Sequence, residues 1–224
     1  MNLARRLTAE AIGTGVLIAT VVGSGIMAQQ STEDLALALW GNTAATGAML
    51  VVLILIFGPV SGAHFNPAVT LAFRIRGDIS TADAAAYMAV QILGGLVGVA
   101  LAHTMFSMEL MQISATIRTG PGQWLSEAVA TAALIGAILG CVRFRPDAVS
   151  YAVGLVITAG YWWTSSTSFA NPAVTIARMF TESFSGIRPA DAGAFIAAQF
   201  VAAAIVTPAL LWLFMDKKEL AHGT

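Results

Sequence analysis

Six apolar stretches, near 8–30, 36–60, 82–107, 123–142, 147–165 and 191–215, take up most of the chain. A helix crosses about 30 Å of hydrocarbon with roughly 20 apolar residues, so each stretch is long enough to span a bilayer. With 57% hydrophobic and only 10% charged residues among 224, too little polar surface is left to coat a soluble domain. The expected fold is an all-α membrane protein with six transmembrane helices. Two shorter apolar pieces, 66–76 and 171–181, open on Asn66-Pro67-Ala68 and Asn171-Pro172-Ala173. They are too short to cross alone and are expected to be re-entrant half-helices.

The basic residues orient the chain. With a cytosolic N-terminus, Arg5, Arg6, Arg74, Arg76, Arg143, Arg145, Lys217 and Lys218 fall inside, and Arg118, Arg178 and Arg188 outside. That excess is the positive-inside pattern, and an even number of spans returns the C-terminus to the cytosol. The first apolar run is longer than a signal-peptide core and is read as an uncleaved anchor. A net charge of −1 argues against a nucleic-acid partner, and the single cysteine, Cys141, excludes an internal disulfide.

The chain repeats itself. Ala9-Glu10-Ala11-Ile12-Gly13-Thr14 matches Ser126-Glu127-Ala128-Val129-Ala130-Thr131, Asn66–Thr70 matches Asn171–Thr175, and Tyr87–Gln91 matches Phe195–Gln199. Three spans per copy make the copies inverted in the membrane. Expected boundaries are a first repeat at 1–108, an external connecting loop at 109–122, a second repeat at 123–215 and a cytosolic tail at 216–224. In each half-helix Asn caps, Pro takes the first helical position, where its missing N–H costs nothing, and Ala permits close approach. Entering from opposite faces, the caps meet near the centre, where irregular backbone is tolerated only beside a cavity. The implication is a narrow pore in which the Asn66 and Asn171 amides donate to a passing oxygen. Two positive half-helix ends, about +0.5 charge each, disfavour cations there.

Ser61-Gly62-Ala63-His64-Phe65-Asn66-Pro67-Ala68-Val69-Thr70, with the Glu10 and Glu127 repeats, closely resembles the aquaporin and aquaglyceroporin family, the major intrinsic proteins, over essentially the whole chain. The resemblance implies a right-handed bundle of six tilted helices and two half-helices, one pore per subunit, a homotetramer and a bacterial inner-membrane location. It also implies a selectivity filter at Thr46, Gly160 or Tyr161, Ser168 and Val174. At the first and last of these the chain departs from the family's usual aromatic and arginine, so a wide filter without a fixed guanidinium is expected. The run Ser168–Phe180 looks like a bacterial branch linked with arsenic resistance. The substrates so implied are arsenite and related metalloid hydroxides, methylated arsenicals, glycerol and water, with a water and glycerol facilitator as the alternative.

In the family, Glu10 and Glu127 look structural, bonding the re-entrant loops. His64 sits where it lines the inner mouth as a titrating group or packs with a satisfied hydrogen bond. Arg178, one turn beyond Val174, either draws oxyacids to the outer mouth or pairs with a neighbouring carboxylate or carbonyl. His103 has no recognisable partner. Trp162-Trp163 suit an interfacial belt, and Gly13, Gly15, Gly94, Gly95 and Gly98 suit close helix contacts. A coupled secondary transporter also fits inverted repeats with broken helices, but two neutral asparagines at the centre favour passive conduction. No catalytic constellation, metal-ligand spacing or cofactor motif is present.

Overall fold

Caps written into the sequence set five of the eight helix starts. The computed structural model describes residues 1–214; Lys217, Lys218, the expected tail 216–224 and the last residue of the sixth expected span lie outside them. Among the described residues there is no strand, and the helices run α1 Leu3–Ser31, α2 Leu35–Ser61, α3 Pro67–Arg76, α4 Thr81–Met105, α5 Pro121–Phe144, α6 Val149–Trp163, α7 Pro172–Ala177 and α8 Pro189–Leu213. Asp34 caps α2 by accepting from the Ala36 and Leu37 amides, and Ser80 caps α4 through Asp83 N. Gly62 and Gly77 end α2 and α3 in the left-handed conformation.

Two expectations shift. Five helices, all but α6 among the long ones, are apolar and long enough to cross a membrane. α6 has only 15 residues, about 22 Å at ~1.5 Å per residue. Pro146 holds its approach in a 3₁₀ turn, Pro146–Ala148, and Thr164 Oγ1 donates back to Gly160 O at 2.7 Å as the backbone turns extended. The turn before α6 also carries a fully exposed Arg145–Asp147 ion pair, whose hydrogen bond and charge hold the Asp147 carboxyl below its ordinary range. The second half-helix is shorter than expected too: six α-helical residues, then a 3₁₀ turn over Arg178–Phe180.

Contacts fix the directions. α1 and α4 run parallel, with Arg6 on Asp83 and Tyr87, and Gly94 and Gly98 lie so close to the α1 backbone that a β-carbon on either would collide with the Ala11 or Gly15 carbonyl oxygen. α5 and α8 repeat that pairing, with Glu127 near Gln199 and Phe144 near Phe214. α2 lies antiparallel to α1, since Asn42 reaches Val21 O and Ser61 reaches Glu10. Gly13, read as a helix-contact residue, instead leaves room for the Phe65 ring.

The half-helices cross over. α3 packs chiefly on α8 and α7 chiefly on α4, so each repeat's short helix rests on the other repeat's last long one. The segment before α5 is more than a joint: Ser114 N donates to Met179 O at 2.9 Å, Arg188 N to Thr116 O at 2.7 Å and Glu182 N to Gln112 Oε1 at 2.9 Å, which clamps it over the exit of α7.

Candidate functional site

The two re-entrant loops are built alike from residue types placed far apart in sequence. Glu10, fully buried in α1, accepts from Ser61 Oγ (2.6 Å), His64 N (3.0 Å), Phe65 N (2.7 Å) and Gln91 Nε2 (2.8 Å). Glu127 in α5 accepts from Phe169 N (2.9 Å), Ala170 N (2.8 Å) and Gln199 Nε2 (2.6 Å). A buried carboxylate without such donors costs several kcal/mol, and the loop amides have no helical partner of their own. Each therefore satisfies the other. The loops also carry matched strain, with positive φ at Ala63 and Phe65 in one and at Ser168 and Ala170 in the other, a conformation that costs an ordinary residue on the order of 1 kcal/mol.

The asparagines join the loops. Asn66 Oδ1 accepts from Ala68 N at 2.8 Å and Asn171 Oδ1 from Ala173 N at 2.9 Å, capping α3 and α7. Each amide nitrogen then reaches the opposite loop: Asn66 Nδ2 donates to Ala170 O (2.7 Å) and Asn171 Nδ2 to Phe65 O (2.9 Å). An NH₂ group has two hydrogens, so each asparagine keeps one for the space beside it.

That space is an internal cavity of about 110 Å³ lined by both asparagines. At the α3 mouth it meets His64 and Phe73, and at the α7 mouth Thr46, Tyr161, Ser168, Val174 and Arg178. No aspartate or glutamate lines it among the described residues. Of Gly160 and Tyr161, Tyr161 is the one that lines the cavity, and its hydroxyl lies 3.3 Å from Thr46 Oγ1. Gly160 stands behind Ser168, where a β-carbon would come within 2.5 Å of Ser168 Oγ.

The departures expected at Thr46 and Val174 do not leave this end of the cavity without a ring or a guanidinium. Position 174 is valine, but Tyr161 supplies a ring, and Arg178, 2% exposed, supplies a guanidinium. Arg178 Nε donates to Ser185 O, and its Cζ lies 3.4 Å from the centre of the Phe169 ring, a contact worth about 2 kcal/mol when desolvated. Ser185 belongs to the segment held by the clamp, which no local sequence pattern announces.

His64 stacks on Phe73, ring centres 4.5 Å apart, and its Nδ1 lies 3.2 Å from Thr70 Oγ1. Its hydrogen bond is made to the half-helix that follows it. His103, expected to stand alone, is fully buried with Nδ1 3.1 Å from Leu110 O and Nε2 2.9 Å from Thr181 Oγ1; both partners lie in loops whose course the sequence pattern does not fix. Trp162 and Trp163 are half exposed and away from the cavity.

Comparison with known proteins meets this geometry. The family model described as "Major intrinsic protein" matches residues 1–145, more than half of the 224. The chain belongs to the major intrinsic protein family. This major intrinsic protein is 52% identical over 223 residues to Aquaglyceroporin AqpS of Rhizobium meliloti, covering 100% of this chain and 96% of that one. It is 39% identical to the probable aquaporin NIP5-1 of Arabidopsis thaliana over 92 residues, 41% of this chain and 30% of that one. The solved aquaglyceroporin of Plasmodium falciparum superposes with a TM-score of 0.71 over 95% of this chain and 96% of its own, at 21% identity, a likeness of fold. The fold is the aquaporin-type helical bundle of a multi-pass membrane channel family.

Proposed function

We propose that this protein is a passive pore for small uncharged hydroxylated solutes: water, glycerol, and the undissociated hydroxides of arsenic and antimony, with methylated arsenicals as larger relatives. The observation that carries the reading is the single cavity that passes both asparagine caps, each with an amide hydrogen to spare, without a carboxylate on its walls. A donor-rich path of this kind can replace part of a solute's hydration while offering a cation no carboxylate. Thr46, Tyr161, Ser168 and Val174 form the proposed filter, and the arsenic element of the reading rests on valine at 174. Family membership and the AqpS likeness support aquaglyceroporin-type conduction. A homotetramer in a bacterial inner membrane with both termini cytosolic, and the division into repeats at 1–108 and 123–215, belong to the same proposal.

Coupled transport is the rival of another class, and it needs an ion-coordinating or titrating acid at the centre, which this cavity does not present among the described residues. Stopped-flow light scattering on proteoliposomes compares water, glycerol and arsenite in one preparation. The pore reading expects flux linear in gradient and indifferent to an imposed proton gradient; saturation, or a response to that gradient, overturns it. Asn66→Asp and Asn171→Asp are expected to lose neutral-solute flux. Unchanged flux in both folded variants would remove the asparagines from the path.

A further inference from the structure

Within a helical bundle whose other buried charges are matched by several partners, Arg178 is an exception. It is 98% buried by its 2% exposure, yet among the described residues no carboxylate lies within ion-pair distance of it. Its protein contacts are the Ser185 carbonyl, at Nε, and the face of Phe169. The two terminal amino groups have no hydrogen-bond partner among the described residues, and neither is sealed off from the cavity that Arg178 lines. Burying a cation this way is costly, and an intramembrane charge facing a water-filled path marks function by default.

The neighbouring geometry fixes where the charge points. Nε and the ring face hold the guanidinium plane on both counts, so the open edge with its four N–H bonds is the part left for the cavity. Val174, one turn before Arg178, lines the same cavity. No acidic side chain lines it to offset the charge. Arg118 lies near as well, its Cζ 5.2 Å from the centre of Phe169, but its Nε and one terminal amino group donate to Gly186 O and Phe184 O, and it does not line the cavity.

We propose that Arg178 is the specificity-determining cation of the α7 mouth, set one turn outward of the position the filter valine occupies, where it donates to the oxygens of hydroxylated solutes and turns cations away. This rests on reading the cavity as a solute path. It changes what valine at 174 means: the wall is displaced and keeps its charge, with Phe169 as the positioning residue that holds the guanidinium flat.

A fixed unit charge about 6 Å from a cation, at an effective dielectric of about 20, changes the cation's occupancy roughly a hundredfold. The test is the ratio of potassium to glycerol permeability in proteoliposomes, measured for the parent, Arg178→Gln, and the double variant Val174→Arg/Arg178→Gln. Arg178→Gln is expected to raise the ratio roughly a hundredfold. The double variant returns a guanidinium to the mouth one turn inward and is expected to bring the ratio back to within about tenfold of the parent. A ratio in Arg178→Gln equal to the parent's overturns the proposal. So does a double variant that leaks as much as Arg178→Gln alone, because the leak then comes from the lost Ser185 tie and not from the lost charge. A parent that passes neither water, glycerol nor arsenite overturns the channel reading and this one with it, whereas a conducting parent with an unchanged ratio overturns only the role of Arg178.

Discussion

The two mouths of the cavity are built on equivalent positions and end in different chemistry. Shifted by the 105 residues that separate Asn66 from Asn171, His64 becomes Phe169, Val69 becomes Val174 and Phe73 becomes Arg178. In both mouths the pair stacks: imidazole on phenyl with centres 4.5 Å apart at one end, guanidinium on phenyl at 3.4 Å at the other. The backbone beneath is the same, a strained loop pinned by a buried glutamate and closed by an asparagine cap. The inverted repeat thus fixes a slot for two stacked planes at each end, and what fills the slot sets the local charge. One mouth carries a pair of rings, the other the cavity's single arginine.

The largest effects are expected from breaking what the mouths share. Glu10→Leu would strand four donors and Glu127→Leu three, each orphan costing about 1–3 kcal/mol. Neither is expected to give much folded protein, with Glu10→Leu the worse, as read by size-exclusion profiles after graded heating. Profiles like the parent's in both would show that the carboxylates do not hold the loops.

Val174→Arg sharpens the comparison, since it crowds a second guanidinium beside Arg178. Glycerol and arsenite flux should fall about tenfold, on the order of 1.4 kcal/mol of barrier, while water stays within a few-fold. The equivalent Val69→Arg serves as the control at the other mouth. Equal losses from both substitutions would mean that bulk alone matters and that the mouths do not differ in kind.

Smaller differences follow from the stacked pairs. Phe169→Leu removes the face under a cation, about 2 kcal/mol, and His64→Leu removes a ring pair worth about 0.5–1.5 kcal/mol; the first should lower the melting temperature more. The reverse order would place the stronger anchor at the α3 mouth. Smallest of all, Tyr161→Phe gives up a 3.3 Å contact to Thr46, about 1 kcal/mol at most, with glycerol flux changed only a few-fold.

These contrasts also mark how far the sequence could be read. Long apolar runs, repeated Glu-x₃-Thr and Asn-Pro-Ala signals and capping residues make the helix order legible, because each is a local pattern with one cheap physical solution. The length of α6 was less so: Pro146 and Thr164 trim it from either end, and an apolar run does not show where the backbone leaves the helix. The site splits the same way. Val174 and Ser168 follow from counting along a motif, whereas Tyr161, Arg178 and His103 depend on loops with left-handed residues at Ser107, Thr167 and Ser168, whose path no periodicity encodes. Spacing could place Arg178 on the face of Val174; it could not show that Ser185 and Phe169 would hold it there.

The exchange of half-helices between repeats sets a clock on biosynthesis. The Asn66 amide finds its acceptor, Ala170 O, 104 residues later, and α3 rests on a helix that ends at Leu213. At about 5–20 residues per second, the ribosome leaves the first re-entrant loop without that partner for roughly 5–20 s. During that interval Glu10, itself held by Gln91 and made with it in the first repeat, is the group that can keep the His64 and Phe65 amides bonded. The glutamate in α1 therefore acts as a holding point for a nascent chain, and a weakened Glu10 should register as degradation during synthesis before it registers as a defect in the finished channel.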